Sequence, residues 1–390
     1  MNKIKKVAVF TSTRAEYGLL FPLIKKIKDD IDLELNLLVS GSHLSEKFGY
    51  TIDKIIEDKF IVSAKFPFLS DDDEISESKC MSILSMQIAD YFEKNKPDIL
   101  IILGDRFELL PVASIALINN IPISHISGGD VTEGAIDNQI RHSITKMSHL
   151  HFPATEIYGQ NILQMGEEEW RVCVSGETGL DQILNMNFIP RDNLFKNLTI
   201  PLEKEIIIMT LHPETINNQI TPKFVKYITE EIVRKTNYFV VLTGANFDKG
   251  GNQINEIKRT IASAHDSIIF IHSLGQKKYY SLLKYSRMVI GNSSSGLVEV
   301  QSFKIPSINI GKRQKGRLSN PNVYHVGVNK QEILNAVNYV TTTDFKNKFF
   351  KEKNIFGDGN ACDRIIKKIK SVNSNSLIMK KSIFSSTKTE

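Results

Sequence analysis

At 390 residues the chain is longer than one hydrophobic core usually supports, so two domains are the natural expectation. A composition that is 41% apolar and 24% charged excludes a disordered or fibrous protein, and a net charge of +5 is too thin a surplus to select nucleic acid. Its three cysteines, Cys80, Cys173 and Cys362, stand far apart and make neither a disulfide framework nor a zinc site.

Short β-branched runs separated by amphipathic stretches predict βα units on a parallel sheet, an α/β fold. The first strand is "KVAVFTS" (6–12), followed by a helix over 19–30. Strands over 33–41, 59–66, 98–105 and 121–127 continue the series, with helices at 82–95, 110–120 and 136–150. The stretch 185–204, with two prolines and several Asn, breaks the rhythm and reads as a linker. The alternation then restarts with strands over 205–213, 237–246, 267–274, 287–294 and 305–311. The expected organisation is a first α/β domain over 1–184, a linker over 185–204 and a second over 205–362. A final helix over 363–373 precedes a Ser- and Lys-rich tail, 374–390, expected to be flexible. The basic start is too short in apolar residues for a signal peptide, and no apolar window reaches bilayer length. The chain is therefore expected in the cytoplasm, with no membrane or nucleic-acid partner.

Ligands of an open parallel sheet bind beyond the carboxyl ends of its strands. In the first half those positions hold Arg14, Glu16 and Tyr17, then Asp105 and Arg106, then Ser127 to Asp130. In the second they hold His212, Asn246, the run Asn292 to Gly296, and Lys312 with Arg313. "GNSSSGLVEV" (291–300) follows an apolar strand and opens a helical stretch, so backbone N–H groups and the hydroxyls of Ser293, Ser294 and Ser295 could cradle a phosphate. The simpler alternative is helix capping by the serines and close packing at Gly296. Glu299, a turn further on, could accept from a ribose or be a solvated acid. Neither a Walker A sequence nor Gly-x-Gly-x-x-Gly is present, which weighs against ATP hydrolysis and classical dinucleotide binding, and the candidate residues in aggregate point to a nucleotide diphosphate held without the usual loops.

Gly104 before Asp105, and the paired glycines before Asp130, are read as leaving room for a ligand. Asp137 and Arg141 stand one helical turn apart and, taken alone, read as a surface ion pair. Asp105 with Arg106 could be an internal pair. The convergence of Asp105, Asp130, Glu133, Asp137, Arg106 and Arg141 on neighbouring strand ends is what marks a candidate site. His212 ends a strand before Pro213 and is a candidate phosphate donor or acid, whereas His125, His149 and His151 lie in apolar stretches and read as core.

Together, "TSTRAEYG", "LGDRFE", "GGDVTEGAIDNQIRHSITKMSHLHF", "LHPET", "GNSSSGLVEV" and "GKRQKGR" resemble the bacterial hydrolysing UDP-N-acetylglucosamine 2-epimerases of sialic and legionaminic acid synthesis. The resemblance runs from about residue 5 to about residue 370 and takes in "FGDGNA" (356–361). It implies two Rossmann-like domains in a glycosyltransferase-B-like arrangement, with the active site in the interdomain cleft and the C-terminal helix packed back on the first domain. It also implies conversion of UDP-N-acetylglucosamine and water to N-acetylmannosamine and UDP by a homodimer or homotetramer. Carried over position by position, Asp105 and Asp137 match catalytic carboxylates, His212 the histidine near the diphosphate, and Ser293 and Ser294 diphosphate contacts. Glu299 matches the ribose contact, Arg313 a residue near phosphate and Arg14 a UDP-contacting arginine. Tyr17, Arg106, Arg141, Asn246, Ser295 and Gly296 complete the expected binding set.

One position departs from the pattern. Where some members read "HIEGG" and use the Glu, this chain reads "HISGGD" and has Ser127. Asp130 or Glu133 would have to supply that carboxylate, with Asp130 favoured. The implied route eliminates UDP to a 2-acetamidoglucal and adds water back, needing acids, bases and charge stabilisation but no metal and no redox cofactor. The same mechanism on UDP-2,4-diacetamido-2,4,6-trideoxyglucose is the first alternative, and a two-domain glycosyltransferase the second.

Overall fold

A computed structural model describes residues 4–46, 49–68, 76–133, 136–214, 219–245 and 250–381. The chain divides into two compact units, Met1–Leu184 with Phe356–Glu390, and Asn185–Ile355.

The first unit is built on strands β1 (Lys5–Thr11), β2 (Leu33–Ser40), β3 (Val62–Phe66), β4 (Ile99–Leu103), β5 (Ile123–Ile126) and β6 (Leu150–Phe152). They form one parallel sheet in the order β3-β2-β1-β4-β5-β6. The uninterrupted apolar runs follow from burial on both faces. Val7, Val9, Ile99 and Ile101 feed one core, while the alternate residues Ala8, Phe10, Leu100 and Ile102 feed a second on the other face.

The helix after β1 spans Arg14–Asp29 and begins five residues earlier than its apolar spacing indicated. Thr13 and Glu16 cap it reciprocally, a local signal that outranks periodicity in setting the start. Pro22 lies inside this helix and has no N–H for the carbonyl of Gly18. Gln182 Nε2 donates to that carbonyl instead, at 3.1 Å.

The end of the chain completes this unit. Helix Ala361–Ser371 places Cys362, Ile365 and Ile369 in the core with Val7 and Leu20. Its two ends are held by charges from far along the chain. Asp181, itself buried, accepts from Ala361 N–H at 2.9 Å and Cys362 N–H at 2.7 Å. Lys5 Nζ donates to the carbonyls of Ile369 and Val372, so both ends match the helix dipole. Asp181→Ala is expected to lower stability by about 1–2 kcal/mol, the loss of a helix N-terminal acceptor. Thermal unfolding and the rate of proteolysis after residue 355 measure it, and an unchanged midpoint would show the cap to be dispensable.

The tail reading needs correction over its first part. Ser374–Ile378 is helical, Leu377 is fully buried, and Arg171 donates to the carbonyls of Leu377 and Met379 at 3.0 and 2.8 Å. Residues 382–390 lie outside the described residues.

In the second unit β7 (Ile206–Thr210), β8 (Phe239–Thr243), β9 (Ile268–Ile271), β10 (Ser286–Gly291), β11 (Ser307–Ile310) and β12 (Val323–Val326) form another parallel sheet, ordered β12-β11-β10-β7-β8-β9. Counted from its own first strand, this is the order of the first sheet repeated. Both sheets are therefore Rossmann-like, with the strand order reversing between β1 and β4 and between β7 and β10. The stretch read as a linker holds a helix, Arg191–Asn197, whose Leu194 and Phe195 are fully buried.

Candidate active site

In the first unit the residues after β4 and β5 converge on Arg141. This side chain is only 2% exposed, on the helix Asp137–Met147. It pairs with Asp105 and donates to the Asp130 carbonyl at 2.9 Å and to Thr132 Oγ1 at 3.2 Å. The reading of Asp137 with Arg141 as a surface pair is thus overturned. The partner of Arg141 is Asp105, 36 positions back, because the helix turns that face inward. Arg141 is the anchor of the site's loops, and its guanidinium is engaged by the protein itself.

Arg106 likewise does not pair with Asp105; its Nε donates to Glu108 at 2.5 Å, and the side chain stays 44% exposed. His125, fully buried, holds the peptide before Asp105, its Nε2 donating to the Gly104 carbonyl at 2.8 Å. Burial pushes His125 down to about 3, so the ring is neutral. Asp137 begins its helix and is partly buried, while Glu133 is exposed. Asn138 Oδ1 accepts from Thr132 N–H at 3.1 Å, tying Thr132 to that helix.

The space expected beside Asp130 is filled by the protein. A Cβ on Gly129 would stand 2.3 Å from the Tyr158 carbonyl, and one on Gly128 would stand 2.9 Å from His125 Nδ1. These glycines let the loop lie against its own unit. Beside Gly104, by contrast, a Cβ would meet nothing within 4 Å, so the approach to Asp105 is open there. Ser127 has φ +57°, and its hydroxyl stands 3.3 Å from both carboxylate oxygens of Glu177. Glu177, which no motif singles out, thus meets the position that departs from the family pattern. Tyr17 is also corrected: it is buried among Phe21, His43 and Phe60 and donates to Asp58 at 2.9 Å, a core role. Arg14 is exposed at the first helical position.

In the second unit Asn292 clamps the chain at His212. Its Oδ1 accepts from the His212 N–H at 2.8 Å, and its Nδ2 donates to the His212 carbonyl at 2.9 Å. Gly291, at φ +147°, makes this possible, since a Cβ there would lie 1.8 Å from the Thr210 carbonyl oxygen. The turn after β11 is tied in as well, because Glu214 Oε1 accepts from Lys312 N–H at 2.9 Å, one residue before the partly buried Arg313.

The helix after the serine run is brief, Ser295–Val298, and Ser294 makes no side-chain cap bond to it. Ser295 Oγ is 2.8 Å from the Tyr279 hydroxyl. Gly296 serves close packing, a Cβ there standing 2.7 Å from Ser307 Oγ. Glu299 accepts from the Tyr280 hydroxyl at 3.2 Å, and burial pushes its carboxyl up. A narrow recess runs between Thr210, Gly291, Ser293, Ser307 and Asn309. Lys258, fully buried, donates to the carbonyls of Leu211 and Thr243 at 2.9 and 2.8 Å, a cation beneath the ends of β7 and β8. Burial pushes it down to about 7. A lysine on an amphipathic helix gave no sequence signal of this. Asn246 lies outside the described residues. Among the described residues no group of three or more His, Cys, Asp or Glu is arranged to hold a metal ion, and no helix is long and apolar enough to cross a membrane.

Residues 25–370 match the family model for UDP-N-acetylglucosamine 2-epimerase. A GDP/UDP-N,N'-diacetylbacillosamine 2-epimerase (hydrolyzing) of Campylobacter jejuni is 42% identical over 380 residues, covering 96% of this chain and 98% of that one. A UDP-N,N'-diacetylbacillosamine 2-epimerase (hydrolyzing) of Legionella pneumophila is 32% identical, covering 97% and 99%. Among solved structures, the UDP-GlcNAc 2-epimerase of Neisseria meningitidis bound to UDP-GlcNAc superposes with a TM-score of 0.81 at 18% identity, over 94% of this chain and all of that one.

Proposed function

Because the chain belongs to the hydrolysing UDP-N-acetylglucosamine 2-epimerase family, we propose that this enzyme acts on UDP-N,N'-diacetylbacillosamine, releasing UDP and the free 2-epimeric sugar. The observation that carries the choice of sugar is the 42% identity to the Campylobacter jejuni protein, along nearly the whole of both chains. The sugar expected from sequence, UDP-N-acetylglucosamine, is the second reading, and the Neisseria meningitidis structure supports it at the level of fold.

The hydrogen at carbon 2 of such a sugar is not beside a carbonyl, so it cannot leave through an enolate. In the proposed route the bond from carbon 1 to the diphosphate oxygen breaks first, and UDP departs with the bonding pair. The oxocarbenium-like centre that remains acidifies carbon 2. A carboxylate takes that proton, and the C–H electrons form the double bond of a 2-acetamidoglucal. Water then adds its oxygen to carbon 1, and a proton reaches carbon 2 from the opposite face.

Asp105 is assigned to proton handling, with Arg141 pairing it and His125 fixing the peptide before it. Asp137 is the second acid. Glu177, against Ser127, is the third, ahead of Asp130 and Glu133. His212, Arg313, Ser293 and Ser294 are assigned to the growing charge on the diphosphate, and Arg14 and Arg106 to the nucleotide sugar.

The test is turnover of both sugar nucleotides in deuterated water. UDP release with deuterium at carbon 2 is expected from both, with kcat/KM at least about tenfold higher for the diacetamido sugar, whose second amide offers polar contacts that its competitor lacks. Faster turnover of UDP-N-acetylglucosamine would reverse the assignment of substrate. UDP release without label at carbon 2 would remove the mechanism.

A further inference from the structure

Where the strand order of the first sheet reverses, two carboxylates lie buried outside the set assigned above. Glu16, 5% exposed, sits in the first turn of the helix after β1, and Glu108, 1% exposed, directly precedes the helix Leu109–Ile118. Ser12 joins them: its Oγ stands 2.5 Å from Glu16 Oε2 and 2.7 Å from Glu108 Oε1. A serine hydroxyl has a single hydrogen to donate. Two short oxygen–oxygen contacts to two ionised carboxylates would leave one of them without a proton between its lone pairs. The chain Glu16–Ser12–Glu108 is complete only when one carboxyl is protonated and the hydroxyl both donates and accepts.

The remaining contacts supply the charge for one carboxylate but not comfortably for two. Glu16 Oε2 accepts from the backbone N–H groups of Ser12 and Thr13 at 3.1 and 3.0 Å and from the Thr13 hydroxyl at 3.2 Å, and Glu108 Oε1 accepts from Arg106 Nε. Glu16 Oε1 and Glu108 Oε2 are buried and take no hydrogen bond among the described residues. Burial, then the neighbouring Glu108 charge, pushes the Glu16 carboxyl up to about 7, although Ser12 and Arg106 pull it down.

Among the described residues, exposed Arg14 also follows β1 and Asp105, held by Arg141, follows β4, while His43 reaches β1 through Thr11 Oγ1 at 3.1 Å. Burial takes His43 down to about 4, so it stays neutral where the pair would titrate.

We propose that Glu16 and Glu108 share one proton through Ser12 and act as a positioning pair, fixing the Arg106 guanidinium beside Asp105 at the end of β4. With the proton present the pair carries one negative charge, and Glu108 holds Arg106 by its Nε alone, leaving the other guanidinium nitrogens toward the exposed side. Loss of the proton doubles that charge and draws Arg106 down onto both carboxylates. The affinity for the sugar nucleotide then falls with rising pH, while the chemistry at Asp105 is left alone. The catalytic consequence rests on the function proposed above; the shared proton does not.

Two measurements test the two parts separately. Infrared spectra of the wild-type protein across neutral pH are expected to contain the carbonyl stretch of a protonated carboxyl group, lost as pH rises and missing from Glu16→Gln. Its absence in the wild type at neutral pH would overturn the proposal whatever the substrate. In steady-state kinetics the wild-type KM is expected to rise about tenfold per pH unit above about pH 7 at nearly constant kcat, as for one controlling ionisation. Glu16→Gln, a permanent stand-in for the protonated form, is expected to lose that rise, and Glu108→Gln to raise KM at every pH. An alkaline limb unchanged in Glu16→Gln, or a uniform loss of kcat instead, would show that the pair only supports the fold. A preparation that turns over neither sugar nucleotide yet retains the infrared band would refute the functional reading and leave the shared proton standing.

Discussion

Asp105→Asn is expected to give a folded protein that binds UDP and releases it from the sugar nucleotide about 10²–10⁴-fold more slowly than wild type, the range for removing a positioned acid or base. The substitution separates structure from chemistry. Asn can still accept a hydrogen bond from Arg141, which also keeps the Asp130 carbonyl and Thr132 Oγ1. What disappears is the negative charge and the capacity to take a proton. Because Arg141 is buried, removing its counter-charge also lowers stability, up to the roughly 3–5 kcal/mol seen when one partner of a buried pair is removed. The kinetic comparison is therefore made well below the variant's own unfolding midpoint. A loss confined to kcat, with UDP affinity within a few-fold, supports the assignment. Near wild-type turnover in a folded variant would remove Asp105 from the mechanism.

The largest effect on folding is expected at the other switch point. In Gly291→Ala the added Cβ would meet the Thr210 carbonyl oxygen at 1.8 Å and its carbon at 2.6 Å, at a φ of +147° that L side chains rarely adopt. Both obstructing atoms are backbone, so no rotamer change relieves the clash. β10 would have to part from β7 where Gly291 pairs with Thr210, and Asn292 would lose its grip on His212. A loss of more than about 4 kcal/mol, exceptional for a single substitution, follows from such a collision. Expression, thermal unfolding and UDP titration measure it. Wild-type stability with intact UDP affinity would mean that the two strands separate easily and that their closeness is not what sets His212 in place.

The inner strands were legible because burial on both faces writes them as plain runs such as "ILIIL", and helices between them predict a parallel sheet. The outer strands β6 and β12 escaped notice. They are three and four residues long, and "LHF" and "VYHV" carry no run that outweighs their neighbours. At the site, sequence spacing offered Asp137 for Arg141 and Asp105 for Arg106, whereas the chain joins Asp105 to Arg141 and Glu108 to Arg106. Spacing along the chain reports only local geometry: Arg141 reaches the end of another strand to meet Asp105, and Arg106 turns from its neighbour to Glu108 beyond the same strand. Glu108, Glu177 and Lys258 were invisible for the same reason, and Glu16, noted only as following the first strand, showed no sign of its burial. Nothing in their immediate neighbours distinguishes them from surface charges, and only the folded sheet reveals which of them lose water.

The helix Ala361–Ser371, tied to Lys5 and Asp181, gives synthesis an order. A nascent chain emerging at about 5–20 residues per second makes all of residues 185–355 before it makes the piece that finishes the unit begun first. For roughly 10–30 s at those rates, the apolar patch destined for Cys362, Ile365 and Ile369 has no permanent cover on the ribosome. The later unit needs nothing beyond residue 355 and is free to mature earlier. A stalled or prematurely terminated message would accordingly leave its defect at the beginning of the polypeptide, where chaperones would find exposed hydrophobic surface.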